Sequence, residues 1–163
     1  MLERVLPRFG IKELPEQALQ SLNLAWHRLD AWPDVPAGMS RLANTFLLAP
    51  VSNGNISLMV DVARRNRMHF DAILGAEIAG DYKPKPRAYL ASSEALSLSP
   101  AECMMVSAAA HSSDIAGAAA VGLRVASLAR PDEFGPGTAV SVPKEKVDIA
   151  AKGLDDLADK LGA

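Results

Sequence analysis

The chain has 163 residues, 49% hydrophobic and 22% charged, with a formal net charge of −2. That balance suits a single soluble globular domain with a sizeable core and excludes a disordered chain. Lys and Arg are interspersed with Asp and Glu, so no basic stripe is available to follow a phosphate backbone, and nucleic acid is not an expected partner.

The opening stretch MLERVLPRFG carries acidic Glu3 and no long apolar core, unlike a secretory signal. No later segment approaches the ~20 apolar residues of a membrane helix, so no membrane association is expected. From Pro15 to Asp30, Leu19, Leu22, Trp26 and Leu29 recur at spacings of three and four, which predicts an amphipathic helix ended by Trp32-Pro33-Asp34. A short helix through Met39 and Leu42 follows Pro36. Phe46 to Val51 reads as a buried parallel strand turning at Gly54 into a helix from Asn55 to Arg67, with Ile56, Met59, Val60 and Ala63 inward. Ala72-Ile73-Leu74 predicts the next strand, followed by the proline-broken loop Asp81 to Pro86 and a helix from Arg87 to Leu96. Strand Cys103–Ser107 and a helix from Ser113 to Ala120 make a third unit. Cys103 is the single cysteine; it permits no internal disulfide and reads as a buried thiol in a reducing compartment, with the cytoplasm as the expected location. Strand Arg124–Leu128, a Pro/Gly-bearing loop from Arg130 to Gly137, a short strand at Val147-Asp148-Ile149 and a helix from Leu154 to Leu161 complete the chain.

Strands alternating with helices of this length predict an α/β fold, a parallel sheet covered on both faces. The polar residues that follow the strands then gather at one edge of the sheet, where such folds bind ligands. Ser52-Asn53-Gly54-Asn55 offers hydroxyl, amide and backbone N–H groups at a helix start, suited to an anion and equally suited to capping the helix. Lys83, between Tyr82 and Pro84, would be held against a carboxylate or lie solvated in its loop, with Lys85 the more exposed of the two lysines. A Lys–carboxylate pair at about 4 Å and an effective dielectric near 20 is worth on the order of 4 kcal/mol before desolvation. Asp114 stands where its carboxylate could orient water, pair with Lys83 or favour the helix dipole. His111 could serve the site or be an ordinary turn histidine, and Tyr89 on its helix could be core.

As a set, Ser52-Asn53, Lys83 and Asp114 at successive strand ends resemble the second, third and fourth motifs of the haloacid dehalogenase superfamily. The stretches WHRLDAWPDV, APVSNGN, DAILGAE, YKPKPRAYLAS, AAHSSDIAGAAAVGLR, ARPDEFGPG and DLADKLGA look like the type II 2-haloacid dehalogenases across nearly the whole chain. The resemblance implies a Rossmann-like three-layer core over residues 34–163, with residues 1–33 the remnant of a helical cap. It implies hydrolytic removal of halide from a short 2-haloalkanoic acid, with no metal and no cofactor. Ser52 would hydrogen-bond the nucleophilic carboxylate, Lys83 would keep it ionised, and Asp114 would position Lys83 and the hydrolytic water. Asn53, Tyr89 and His111 would lie on the substrate and halide side. Some members carry serine and asparagine where this chain has Ala109 and His111. A homodimer is a further expectation of the resemblance.

The same family begins with a strand ending in an Asp-x-x-Gly-Thr motif, whose aspartate is the nucleophile, and these 163 residues contain no such motif. The first central strand, between those ending at Ser52 and Ser107, is therefore expected to be missing, leaving unpaired edges. The chain by itself is expected to be inactive or nearly so. Two alternatives stand beside this reading: a phosphatase of the superfamily, and a non-catalytic remnant or mis-started fragment. The phosphatases hold Mg²⁺ with paired acids at i and i+4, because a hard cation needs several oxygen ligands. Here Ala110 stands four residues before Asp114.

Overall fold

In the computed structural model, which describes residues 2–138 and 142–163, helices and strands are interspersed from residue 35 onward. Helices α1 (Leu2–Val5) and α2 (Glu16–Asn23) come first, each followed by a 3-10 turn, at Leu6–Phe9 and Leu24–Arg28. Then come α3 (Val35–Leu42), β1 (Val51–Ser52), α4 (Ile56–Arg65), β2 (Leu74–Gly75), α5 (Ala76–Ala79) and α6 (Pro86–Ala95). The order closes with β3 (Met104–Ala108), α7 (Ser112–Ala120), β4 (Arg124–Leu128), β5 (Ile149–Ala151) and α8 (Leu154–Leu161).

All strand pairs are parallel. Val51 lies opposite Leu74 and Ser52 opposite Gly75. In the order β3-β4-β5, Met104 lies opposite Arg124 and Ala126 opposite Ile149. Among the described residues β1 does not pair with β3, so the sheet is in two pieces at the place where a further strand was expected. Gly75, at φ +124°, lets the two short strands meet: a Cβ there would stand 2.3 Å from the Ser52 carbonyl oxygen.

Side-chain alternation along β3 and β4 builds the layers. Met105 and Val125 face α6 and α7, where they meet Tyr89, Ile115 and Ala118. Ala126 and Leu128 face α3 and α8, packing on Met39, Leu42, Leu157 and Ala158. Both faces of the sheet are thus buried, as a parallel sheet requires. Leu157 and Ile115 are fully enclosed, and burial of side chains of this size contributes about 1.5–3 kcal/mol each.

Several boundaries differ from the sequence reading. The apolar run Phe46–Val51 is strand only at its end, and Leu47 is 59% exposed. Pro50 has no N–H for a ladder, and Leu48 instead bonds Asp71 through both its N–H (2.7 Å, to the carboxylate) and its carbonyl (2.8 Å, from the Asp71 N–H). The strand anticipated at Ala72-Ile73-Leu74 occupies Leu74–Gly75, and the one at Val147-Asp148-Ile149 lies two residues further on, at Ile149–Ala151. The Asp148 carboxylate accepts from the Val125 N–H at 2.7 Å, which uses the peptide edge before β5 begins. Cys103 is half-buried rather than buried.

The long helix anticipated over Pro15–Asp30 breaks at Asn23 into the 3-10 turn, and none of the described residues in 2–33 is buried. This segment rests on α4 through polar contacts. Arg65 Nε donates to Asp30 at 2.8 Å, and Asn66 donates to the Leu29 carbonyl at 2.9 Å while accepting from the Ala31 N–H at 2.8 Å. Trp26, on the apolar stripe of the anticipated helix, is 65% exposed.

Candidate functional site

Asn55, with extended φ and ψ, caps α4 by accepting from the Leu58 N–H at 3.2 Å, and this releases Ser52 and Asn53 from the capping role. Ser52 is half-buried at the end of β1, where its Oγ accepts from the Gly54 N–H at 2.9 Å and tightens the turn. Asn53 reaches across to the loop before α6. Its Oδ1 accepts from the Lys83 N–H at 2.8 Å and its Nδ2 donates to the Lys83 carbonyl at 3.1 Å. One amide therefore clamps the backbone of the lysine by both of its polar groups.

The clamp aims the Lys83 side chain at α7. Nζ lies 2.5 Å from Asp114 Oδ2, and both side chains are largely buried, at 14% and 15% exposure. A charge-assisted pair this enclosed is worth more than an exposed one, and removing either partner strands the other. Lys85, by contrast, is 67% exposed and pairs with Asp81 at 2.7 Å. The alternatives of a solvated Lys83 and of a purely capping Asp114 are not what the structure contains.

Tyr89 is fully enclosed under this pair. Burial first, and then the negative charge of Asp114, hold its hydroxyl proton well above the usual phenol range. The hydroxyl faces Asp114 without reaching settled hydrogen-bond geometry to any described group. Gly117 makes room for this packing: a Cβ there would stand 2.8 Å from the Tyr89 hydroxyl and 3.0 Å from the Pro84 carbonyl.

His111 stands at the start of α7, where its carbonyl accepts from the Asp114 N–H at 3.0 Å. Its Nε2 lies 2.8 Å from Glu133 Oε1, in the loop after β4. Glu133 lies in the family-like stretch ARPDEFGPG but was not singled out, because one acid in a Pro/Gly loop belongs to no periodic pattern. Ala109, beside His111, is buried. The same loop is anchored at its start. Arg130 makes a two-pronged pair with Asp34 (3.0 and 3.1 Å) and lies over the Trp32 ring at 5.2 Å. Burial alone would raise the Asp34 pKa; the Leu154 N–H and Arg130 outweigh it and hold the carboxyl below its usual 3.8.

Beside Asn53 a cleft of about 370 Å³ opens, bordered by Gly54, Glu77, Asp81 and Tyr82. Glu77 is held there by accepting from the Ile56 N–H. Among the described residues no three His, Cys, Asp or Glu side chains gather as a metal-binding group. No helix among them is long and apolar enough to cross a membrane.

A parallel α/β protein with a clamped lysine paired to a helix-start aspartate at its strand ends has the outline of a hydrolase of the haloacid dehalogenase type. The family model described as haloacid dehalogenase-like hydrolase matches residues 3–122, and the chain belongs to that family. It is 30% identical over 120 residues to an (S)-2-haloacid dehalogenase of Xanthobacter autotrophicus; the match takes in 72% of this chain and 46% of that protein, less than half of the relative's length. Among solved structures, an L-2-haloacid dehalogenase superposes with a TM-score of 0.91 at 42% identity, covering 99% of this chain and 68% of the other. A defluorinating L-2-haloacid dehalogenase gives 0.92 at 38% identity, over 99% and 66%. The X. autotrophicus L-2-haloacid dehalogenase with chloropropionic acid covalently bound gives 0.85 at 25% identity, over 99% and 73%.

Proposed function

We propose that Ser52, Asn53, Lys83 and Asp114 belong to the site of a 2-haloacid dehalogenase, which replaces the halide of a short 2-haloalkanoic acid with hydroxyl. The observation that carries the reading is the enclosed Lys83–Asp114 pair at 2.5 Å, with the Lys83 backbone gripped by Asn53. In this chemistry a carboxylate attacks the carbon bearing halogen, halide departs, and water hydrolyses the resulting ester. A fixed ammonium stabilises the attacking carboxylate as its anion, and Asp114 fixes the ammonium. Ser52 supplies a hydroxyl to the nucleophile, and Asn53 is assigned to the halide side. Tyr89, enclosed against Asp114, supports the pair from beneath.

The nucleophile is the part these residues do not supply. No Asp-x-x-Gly-Thr motif occurs in the sequence. Of the acids at this edge, Asp114 is committed to Lys83, Asp81 to Lys85 and Glu77 to the Ile56 N–H. Loss of a covalent nucleophile costs on the order of 10⁴–10⁶ in rate, and the chain alone is assigned a rate that low. Residues 1–33 are assigned to a helical cap and 34–163 to the core domain. The exposed apolar side chains of the first segment, Phe9 and Trp26 foremost, suit burial in a homodimer, which light scattering would register as twice the chain mass. The reducing cytoplasm is the compartment assigned.

A ¹H–¹⁵N titration with 2-chloropropionate tests the reading. Shifts at Ser52, Asn53, Gly54 and Lys83, abolished in Lys83→Met, support it. Shifts confined to other regions would contradict it, and an Asp114 response to Mg²⁺ with none to the haloacid would replace it with the phosphatase reading.

A further inference from the structure

A second cleft, of about 280 Å³, lies between α3 and the turn that follows α4, away from the Lys83–Asp114 edge. Ser40 and Asn44 border it on one side, and Arg67, Met68 and His69 on the other. Asn44 stands in the segment that leads into β1, and His69 in the one that leads into β2, so the cleft belongs to the amino ends of those strands. Ser52 and Lys83 lie past their carboxyl ends. Halide displacement leaves this cleft without a role.

The floor is apolar and adaptable. Met39 is buried there, and Met68 packs on the cluster shared by α3 and α8. Unbranched thioether side chains adjust to the shape of a guest and make favourable contacts with aromatic rings. The rim offers donors, because the carbonyls that close the two helices are already taken: Met39's by the Ala43 N–H and Ala63's by the Met68 N–H, each at 2.9 Å. One acid stands near. Asp71 Oδ1 is 3.7 Å from His69 Nε2, and its other oxygen accepts from the Leu48 N–H at 2.7 Å. Arg65 is spent on Asp30 at 2.8 Å, whereas among the described residues the Arg67 guanidinium enters no hydrogen bond or ion pair. Arg67 is therefore the charge left over in the cleft. Its backbone is in the left-handed region, at φ +53°, in the turn that closes α4 with the Arg67 N–H on the Arg64 carbonyl and the Met68 N–H on the Ala63 carbonyl. Glycine is the residue that this position favours. The chain instead keeps a long cationic side chain there.

We propose that this cleft binds a small aromatic monocarboxylate, with its ring on Met39 and Met68 and its carboxylate received by Arg67, Ser40 and Asn44. A planar guanidinium matches a carboxylate in two-pronged geometry, and the volume is at the small end of ligand clefts, enough for one ring and its acid group. The inference does not rest on the haloacid reading, since the cleft shares no residue with the Lys83–Asp114 edge.

Benzoate is the probe, titrated into the ¹⁵N-labelled 163-residue chain. Saturable ¹H–¹⁵N shifts are expected at Ser40, Asn44, Met68 and His69, and none at Ser52 or Lys83. Arg67→Gly should weaken the affinity by about tenfold or more, the worth of a hydrogen bond to a charged group. The same variant relieves the left-handed position, so its melting temperature should be no lower than that of wild type and lost binding would not come from unfolding. Arg67→Lys, which keeps the charge without the fork, should bind between the two. Benzyl alcohol carries the ring without the charge and inorganic phosphate the charge without the ring; each should bind more weakly than benzoate. Shifts that grow without saturating, an affinity unchanged in Arg67→Gly, or benzoate shifts centred on Ser52 and Lys83 would overturn the proposal. Phosphate binding as tightly as benzoate would overturn it too, by reducing the cleft to a patch of positive charge. The 2-chloropropionate titration reads the opposite edge, so the failure of either reading is seen separately from the other.

Discussion

Substituting Asp34→Asn attacks an ion pair that ties three parts of the chain together. Asp34, ahead of α3, accepts from both terminal nitrogens of Arg130 at 3.0 and 3.1 Å and from the Leu154 N–H, at the start of α8, at 2.7 Å. Removing one partner of a buried pair costs about 3–5 kcal/mol. Asp34 retains 23% exposure, and asparagine keeps one oxygen that can serve either Leu154 or the guanidinium. The expected loss is therefore about 2–3 kcal/mol, a fall in Tm of about 4–12 °C for a domain of this size. The pH dependence has a definite sign. Because the folded pKa lies below 3.8, the carboxylate's stabilisation is complete above the unfolded value and is lost as pH falls through the folded one. The gap between wild type and Asp34→Asn should be flat near neutrality and close in acid. Thermal unfolding by circular dichroism across pH reads both quantities. A gap under about 0.5 kcal/mol, the range of ordinary surface substitutions, would show that Arg130 finds equal compensation elsewhere.

Gly117→Ala would press a methyl group against the Tyr89 hydroxyl and the Pro84 carbonyl, at 2.8 and 3.0 Å; a loss of about 1–3 kcal/mol in urea unfolding is expected, and a neutral result would mean the helix can shift freely. Tyr89→Phe removes a buried hydroxyl that has no settled partner, so its stability should stay within about 1 kcal/mol of wild type, whereas Tyr89→Ala should lose about 3–5 kcal/mol. Lys83→Met leaves the Asp114 carboxylate enclosed and uncompensated; about 3 kcal/mol of destabilisation is expected near pH 7, with recovery in Lys83→Met/Asp114→Asn relative to the single variant. Strict additivity of those two substitutions would count against a coupled pair.

Part of the arrangement was legible because parallel topology gathers the segments that follow strands at one edge: Ser52-Asn53, Lys83 and Asp114 meet there, although α5 intervenes between β2 and Lys83. The Lys83–Asp114 pairing was one of the alternatives the residues allowed, and the geometry realises it. What was not legible depends on contacts between segments far apart in the chain. Asn53 gripping the Lys83 peptide, and Glu133 meeting His111, have no local spacing to reveal them. Arg130 and Asp34 lie in stretches that resemble the family but find each other only when the loop after β4 crosses to α3. The strand anticipated at Phe46–Val51 shortened for a related reason: apolar composition marks a segment that can be extended, but a ladder needs a partner edge, and Asp71 takes the Leu48 groups instead. Helical spacing over Pro15–Asp30 likewise identified a helical segment but not its depth, because burial depends on what packs above it.

If this sheet edge serves carbon–halide hydrolysis, the decisive quantity is halide release from 2-chloropropionate, measured by ion chromatography with EDTA present. The 163-residue chain should release halide at a rate about 10⁴–10⁶ below that of the chain extended upstream by a strand bearing an Asp-x-x-Gly-Thr motif, and Lys83→Met should silence the extended form. Fast release by the 163-residue chain itself, abolished by Lys83→Met, would place the nucleophile within these residues and contradict that reading; no release by the extended chain would contradict the dehalogenase assignment.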